Sequence, residues 1–228
     1  MKFSKFIIFF VCSFAFFCES AEKPHGLPAG AKYDKNMNAY ILNEPGLARI
    51  YYDNGKLYFE CPLDENKLYH GLCKSYLRSE EGISSQGKYE HGSKIGDWVW
   101  YFADGKPYIK QSFGSQIKDE FAQINGDEGN EEGPYERYYP QGTLEVKGNY
   151  KNGQKSDFWQ KYFKDGELEY SGYYSKGRKI RTWFYYFPNR QTESVEVFDE
   201  SGNFLSRTIF SPAGKVLCEV QKKESHCG

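Results

Sequence analysis

Three stretches of this 228-residue chain align without a gap: Gly87-Lys88-Tyr89-Glu90-His91-Gly92, Gly148-Asn149-Tyr150-Lys151-Asn152-Gly153 and Gly172-Tyr173-Tyr174-Ser175-Lys176-Gly177. Six residues after each closing glycine stands a tryptophan: Trp98, Trp159 and Trp183. Three residues further comes Tyr101, Tyr162 or Tyr186, and four beyond that a turn at Asp104-Gly105, Asp165-Gly166 or Asn189-Arg190. The unit reads G-x-Y-x-x-G-x5-W-x-x-Y-x3-G with a period of 24. Fainter copies flank it, from Tyr51 through Asn54-Gly55 and Gly71-Leu72-Cys73 to Tyr76, and from Gly133-Pro134-Tyr135 through Tyr138 to Gln141-Gly142. The tail repeats at half the period, Phe198 to Gly202 and Phe210 to Gly214.

Asp-Gly or Asn-Gly between alternating aromatic runs signals a hairpin, and type I′ geometry with positive φ at both central residues is the expected turn. The second glycine-centred turn, at Gly92, Gly153 and Gly177, reverses the chain again. Each repeat is then two short strands. Trp98, Trp100 and Phe102 share one face, and Val99 and Tyr101 the other. A lone hairpin is marginal in water, so the units must stabilise one another by stacking. The pattern predicts an all-β fold: an elongated single-layer antiparallel sheet of stacked β-hairpin repeats.

With Lys94 and Gly96 added, the first unit resembles the MORN repeat superfamily, in particular its bacterial variant of the YwqK type, known as antitoxins. Lys155 and Lys179 keep the lysine of that pattern, whereas Asp157, Arg181 and Arg190 stand where it has glycine. The resemblance covers roughly residues 47–190, and the tail looks more like YD-type repeats. It implies a MORN-like interaction scaffold and, by the family label alone, an antitoxin-like immunity role, which fits an exported chain only if the toxin is exported too. Fold-level likeness carries no function by itself.

Composition agrees. From residue 19 onward there are 20 Tyr, 11 Phe and 4 Trp against 27 Leu, Ile and Val. An ordinary enzyme core is led by aliphatics. Formal charge nearly cancels, 30 basic against 31 acidic residues, which argues against nucleic acid as a partner.

The first residues read as an export signal: a basic start, Met1 to Lys5, then an apolar stretch from Phe6 to Phe17. That stretch is too short to span a bilayer, which takes about 20 residues, and has the length of a secretory core. Two endings compete: cleavage near Ser20 or Ala21, or lipoprotein processing at Cys18, although a lipobox expects a small residue where Phe17 stands. Without the signal's Cys12, five cysteines remain, an odd number. Lipidation of Cys18 leaves Cys61, Cys73, Cys218 and Cys227 as two local pairs. Residues 1–18 are then signal, 19–45 a tether, 46–190 the repeats and 191–228 half-period repeats with a cap. Membrane contact would run only through the lipid anchor, and the location would be the bacterial cell envelope, or the medium if the chain is secreted.

The disulfides follow from register. Cys73 fills the slot held elsewhere by tryptophan. Lys67 lies six residues after Cys61 and six before Cys73, which sets the two opposite each other across a hairpin, within reach of a bond. Cys218 and Cys227 bracket an eight-residue loop at the other end.

Catalytic chemistry is not legible. His25, His70, His91 and His226 have no triad or metalloprotease motif around them, and no phosphate loop is present. The acidic stretch 114–133, which widens one interval from 24 to 37, lacks the alternating acids of a calcium loop and reads as a solvated loop or a degenerate half-repeat. No cofactor or metal is expected. The varying slots are better candidates. Two residues after the tryptophan slot come Ser75, Trp100, Arg137, Lys161 and Tyr185, residue types that dominate interface hot spots. Trp100, Arg137, Lys161 and Tyr185 are the expected binding residues, spaced about 10 Å apart per two-strand repeat. The partner expected is a protein, with a glycan on an aromatic ladder as the alternative, and rings that merely cover the sheet as the bland reading.

Overall fold

The computed structural model describes residues 23–79, 81–115, 130–222 and 224–227, the last four by backbone alone. Among them there is no helix. The strands are β1 (Lys32–Asp34), β2 (Ala39–Glu44), β3 (Leu47–Tyr51), β4 (Leu57–Pro62), β5 (Gly71–Tyr76), β6 (Ile83–Glu90), β7 (Ser93–Tyr101) and β8 (Pro107–Phe113). After the stretch that widens the interval come β9 (Glu131–Tyr138), β10 (Leu144–Lys151), β11 (Gln154–Tyr162), β12 (Leu168–Ser175), β13 (Arg178–Tyr186), β14 (Thr192–Phe198), β15 (Phe204–Phe210), β16 (Val216–Gln221) and β17 (Glu224–Cys227). Each pairs antiparallel with its neighbour in sequence, so the sheet is one open meander.

The sheet begins earlier than the tether reading allowed. Lys32–Asp34 pairs with Ala39–Ile41, and Glu44 turns through Pro45-Gly46 to Leu47. These strands lack the repeat motif but keep the alternation a sheet needs. The segment read as an export signal and Cys18 lie outside the described residues, as do positions 116–129 of the acidic stretch.

The two edges use different turns, and their assignment reverses part of the expectation. At Asp104-Gly105 and Asp165-Gly166 only the glycine has positive φ (80° and 91°). The Asp carboxylate accepts the N–H two residues on, from Lys106 and Glu167. These are type I turns closed by a left-handed glycine, a common three- to five-residue hairpin connection. The two-residue type I′ turns lie on the opposite edge: His91-Gly92 (46°, 84°), Asn152-Gly153 (52°, 73°) and Lys176-Gly177 (49°, 74°). Their glycine N–H groups donate to carbonyls of the preceding repeat, Tyr69, Glu131 and Lys155, at 2.9–3.0 Å. The tail halves the period because both of its edges use one turn type, Asp199–Asn203 and Ser211–Lys215.

The residues that hold one position in every repeat form a straight row across the sheet. Cys73 faces Gly87, Trp98 faces Gln111, Gln111 faces Tyr135, Tyr135 faces Gly148, and Trp159 faces Gly172. Trp98, Trp159 and Trp183 are 3%, 1% and 1% exposed although no second layer covers them. Their cover comes from rings of the neighbouring repeats, Phe113 on Trp98, Tyr135 and Tyr174 on Trp159 and Tyr170 on Trp183, and from within the repeat itself. Each indole lies over the glycine eleven residues earlier, Gly87, Gly148 or Gly172, where any Cβ would overlap the ring. Tyr89, Tyr150 or Tyr174 meets the ring edge-on at 4.8–5.3 Å between centroids. Each indole N–H donates to the carbonyl ten residues earlier, Lys88, Asn149 or Tyr173.

Candidate interaction face

The row's face is completed by the lysine of each unit. Lys94, Lys155 and Lys179 sit opposite Tyr89, Tyr150 and Tyr174 in register. Their ammonium groups lie 4.9, 4.4 and 4.8 Å from the centroids of Trp98, Trp159 and Trp183. A cation over an indole face is attracted by the ring quadrupole and shields the ring from water. Burial, with the charge of Arg137, pushes the Lys155 ammonium below the ordinary lysine range. The sequence showed these lysines as part of a motif; their role depends on a cross-strand register that spacing alone does not give.

Three of the four expected binding residues are engaged within the sheet. Arg137 makes two 2.8 Å bonds to Glu145, and Lys161 meets Glu169 at 2.7 Å. Tyr185 donates to Glu196 at 2.8 Å and also contacts Lys179. Burial first, then the Glu196 bond, raises the Tyr185 phenol far above its ordinary value. Their partners were hidden from pattern reading because Glu145 and Glu169 occupy β-bulges, where the alternation of faces breaks.

Trp100 is different. Its ring lies tilted against that of Trp98, 5.7 Å between centroids, and it faces Ile109. It also lines a recess of about 260 Å³ with Ile109, Gln111, Phe113, Glu131, Tyr135 and Tyr150. Here the regular pattern lapses. Gln111 stands in the glycine slot and Tyr135 in the tryptophan slot, so no indole lies between Trp98 and Trp159. The ring contacts divide accordingly into a run ending at Phe113 and another starting at Tyr135.

Tyr76, Tyr101 and Tyr138 recur at one position of the repeat, three residues after the tryptophan slot. They serve the opposite, polar face through their hydroxyls, which bond Glu60, Gln86 and Glu136. The Tyr76 phenol is pushed up to about 12 by burial and by the Glu60 carboxylate. That face also carries exposed rings, Phe158 and Tyr173 in contact at 4.9 Å and Phe184.

Cys61 and Cys73 are disulfide-bonded with Cα atoms 4.3 Å apart, and both are fully buried in the row. They occupy the glycine and tryptophan slots of the first repeat. Lys67 sits in the turn between them with φ 64°. Cys218 is also disulfide-bonded and faces Cys227 in backbone register.

Residues 44–64 and 131–152 match the MORN repeat variant. The first falls around β3–β4, at the start of one fainter copy, and the second covers β9–β10, joining the other fainter copy to the clear one that opens at Gly148. The search of curated proteins finds no match. Among solved structures, a chain in "Crystal Structure of TcdB2-TccC3-Cdc42" is similar at 9% identity over 82% of this chain and 12% of that one, with a TM-score of 0.17. That score is too low to carry an argument.

Proposed function

We propose that this chain is a non-catalytic repeat scaffold that holds a protein partner against the aromatic face of its sheet, with the recess beside Trp100 as the anchor point. The observation that carries the reading is the lapse at Gln111 and Tyr135, which opens a ring-lined hollow where every neighbouring repeat is filled by its own tryptophan. A recess walled by Trp, Phe and Tyr that dries when a partner side chain enters is the setting in which a few residues supply most binding energy. Arg137, Lys161 and Tyr185 act as the frame of that face rather than as contacts. Trp100→Ala should therefore weaken capture of a cross-linked partner from envelope extract by about 2 kcal/mol or more, with Lys161→Ala far milder. Equal losses in both would contradict the assignment.

A carbohydrate reading is favoured by one observation, the exposed Phe158–Tyr173 pair on the other face, onto which a sugar ring could stack. A glycan array separates the two classes. Envelope tethering through lipid at Cys18 and an antitoxin-like role rest on the sequence. Labelled palmitate incorporated equally by wild type and Cys18→Ala would remove the first.

A further inference from the structure

Two of the chain's four histidines converge on one carboxylate. Asp64 lies in the β4–β5 turn, His70 just before β5, and His91 in the β6–β7 turn, on one edge of the sheet. One ligand atom from each lies within 4.8 Å of the others. The His91 Nδ1 meets the Asp64 Oδ2 at 2.8 Å, and the two imidazoles are 5.1 Å apart between centroids.

We propose that Asp64, His70 and His91 form a binding site for a borderline divalent cation, Zn²⁺ foremost. Two imidazoles and a carboxylate are a donor set for zinc, nickel or copper rather than for magnesium or calcium, which take oxygen ligands. Zinc bonds near 2.0–2.2 Å place tetrahedral ligands about 3.3 Å apart, so the Asp64–His91 pair at 2.8 Å opens slightly and the exposed His70 ring swings in.

The carboxylate is already aimed. Its Oδ1 accepts the N–H groups of Asn66 and Leu68, both at 2.9 Å, which fixes the plane and leaves Oδ2 as the metal-facing atom. Such outer-shell bonds orient ligands in metal sites. The two turns are tied as well, since the Gly92 N–H donates to the Tyr69 carbonyl at 2.9 Å. Both imidazoles are exposed, so a water or a partner's ligand can reach the ion from solvent to complete four-coordination. The ion would bridge successive hairpins at the first repeats, beside the Cys61–Cys73 disulfide.

Titration of the purified full chain with zinc chloride, by calorimetry and thermal melting, tests the site. Wild type should bind one equivalent at this site and melt higher with zinc, because an ion bound only by the folded state stabilises it. His70→Gln and His91→Asn should each weaken binding about tenfold or more. His91→Asn keeps the turn, since Asn152 holds the equivalent position in the next type I′ turn, at φ 52°. Both variants should melt as the wild type does without zinc, and calcium chloride should leave all three unchanged. No zinc binding by wild type, or undiminished binding in both variants, would overturn the proposal.

Discussion

Trp159 lies flat over Gly148, so closely that a methyl group on the glycine would occupy the space of the indole's Cδ2 and Cε2. The relation recurs at Gly87 with Trp98 and Gly172 with Trp183. It explains why a sheet without a second layer can bury its largest side chain. Gly148→Ala should cost about 1–3 kcal/mol by overpacking, and Trp159→Ala about 3–5 kcal/mol. The double variant should cost clearly less than the sum, because the clash disappears with the ring. Urea denaturation of the four proteins measures this; strict additivity would show that the pair is not the unit of packing.

Three equivalent positions before the tryptophans adopt left-handed backbone: Gly96 at φ 60°, Asp157 at 61° and Arg181 at 59°. An L-residue pays about 1–2 kcal/mol there relative to glycine. Gly96 has open space where a Cβ would go, so Gly96→Ala should be destabilising by about that amount through backbone strain alone. Arg181→Gly should be stabilising by less than about 1 kcal/mol, since the relief of strain is partly offset by losing the exposed ion pair with Glu200 and the guanidinium's contact over the Tyr173 ring at 5.1 Å. Thermal melts that moved in the opposite directions would contradict the strain.

Stability should bend with pH around Glu196. Burial alone would raise its carboxyl, but bonds from Tyr185 and Lys179 and the charge of Arg207 hold it below the ordinary 4.5. A folded value below the unfolded one gives stability that is present above about pH 4.5 and lost as pH falls through the folded value. Tyr185 is raised above 10.0, so its share persists below about pH 10 and fades as pH climbs through its folded value. The stability gap between wild type and Glu196→Gln should shrink below about pH 4.5. Parallel curves down to pH 2 would show that these bonds do not couple to folding.

The disulfide should matter most for the first repeat. Closing a loop of this length, with the cysteines 12 residues apart, is worth about 3 kcal/mol in chain entropy. Cys61→Ala/Cys73→Ala should lose about that much, and reducing agent should have no further effect at this pair. Hydrogen exchange would place the loss near β4 and β5; protection there equal to wild type would contradict it.

Much of this architecture was legible because a 24-residue period acts as an alignment within one chain. The Trp and Gly slots, the hairpins and the facing of Cys61 and Cys73 all follow from it. The turn types did not, since Asp-Gly suits both a type I′ turn and a type I turn ending in a left-handed glycine. What separates them is the Asp104 side chain bonding the Lys106 N–H, a contact spacing does not reveal. The engagement of Arg137 and Lys161 was hidden for a related reason, their partners lying at bulges. Strands β1 and β2 were missed because Tyr33, Tyr40 and Leu42 pair without the repeat's glycines and tryptophan.

The central claim is that a protein partner docks at the Trp100 recess. A photo-reactive phenylalanine analogue placed at Phe113, which lines the recess, and separately at Phe158 on the opposite face, tests it most directly. In envelope extract the Phe113 probe should yield a discrete cross-linked protein that disappears when Trp100→Ala is added, while the Phe158 probe yields none. Cross-links from Phe158 alone, or Phe113 cross-links indifferent to Trp100→Ala, would contradict the account.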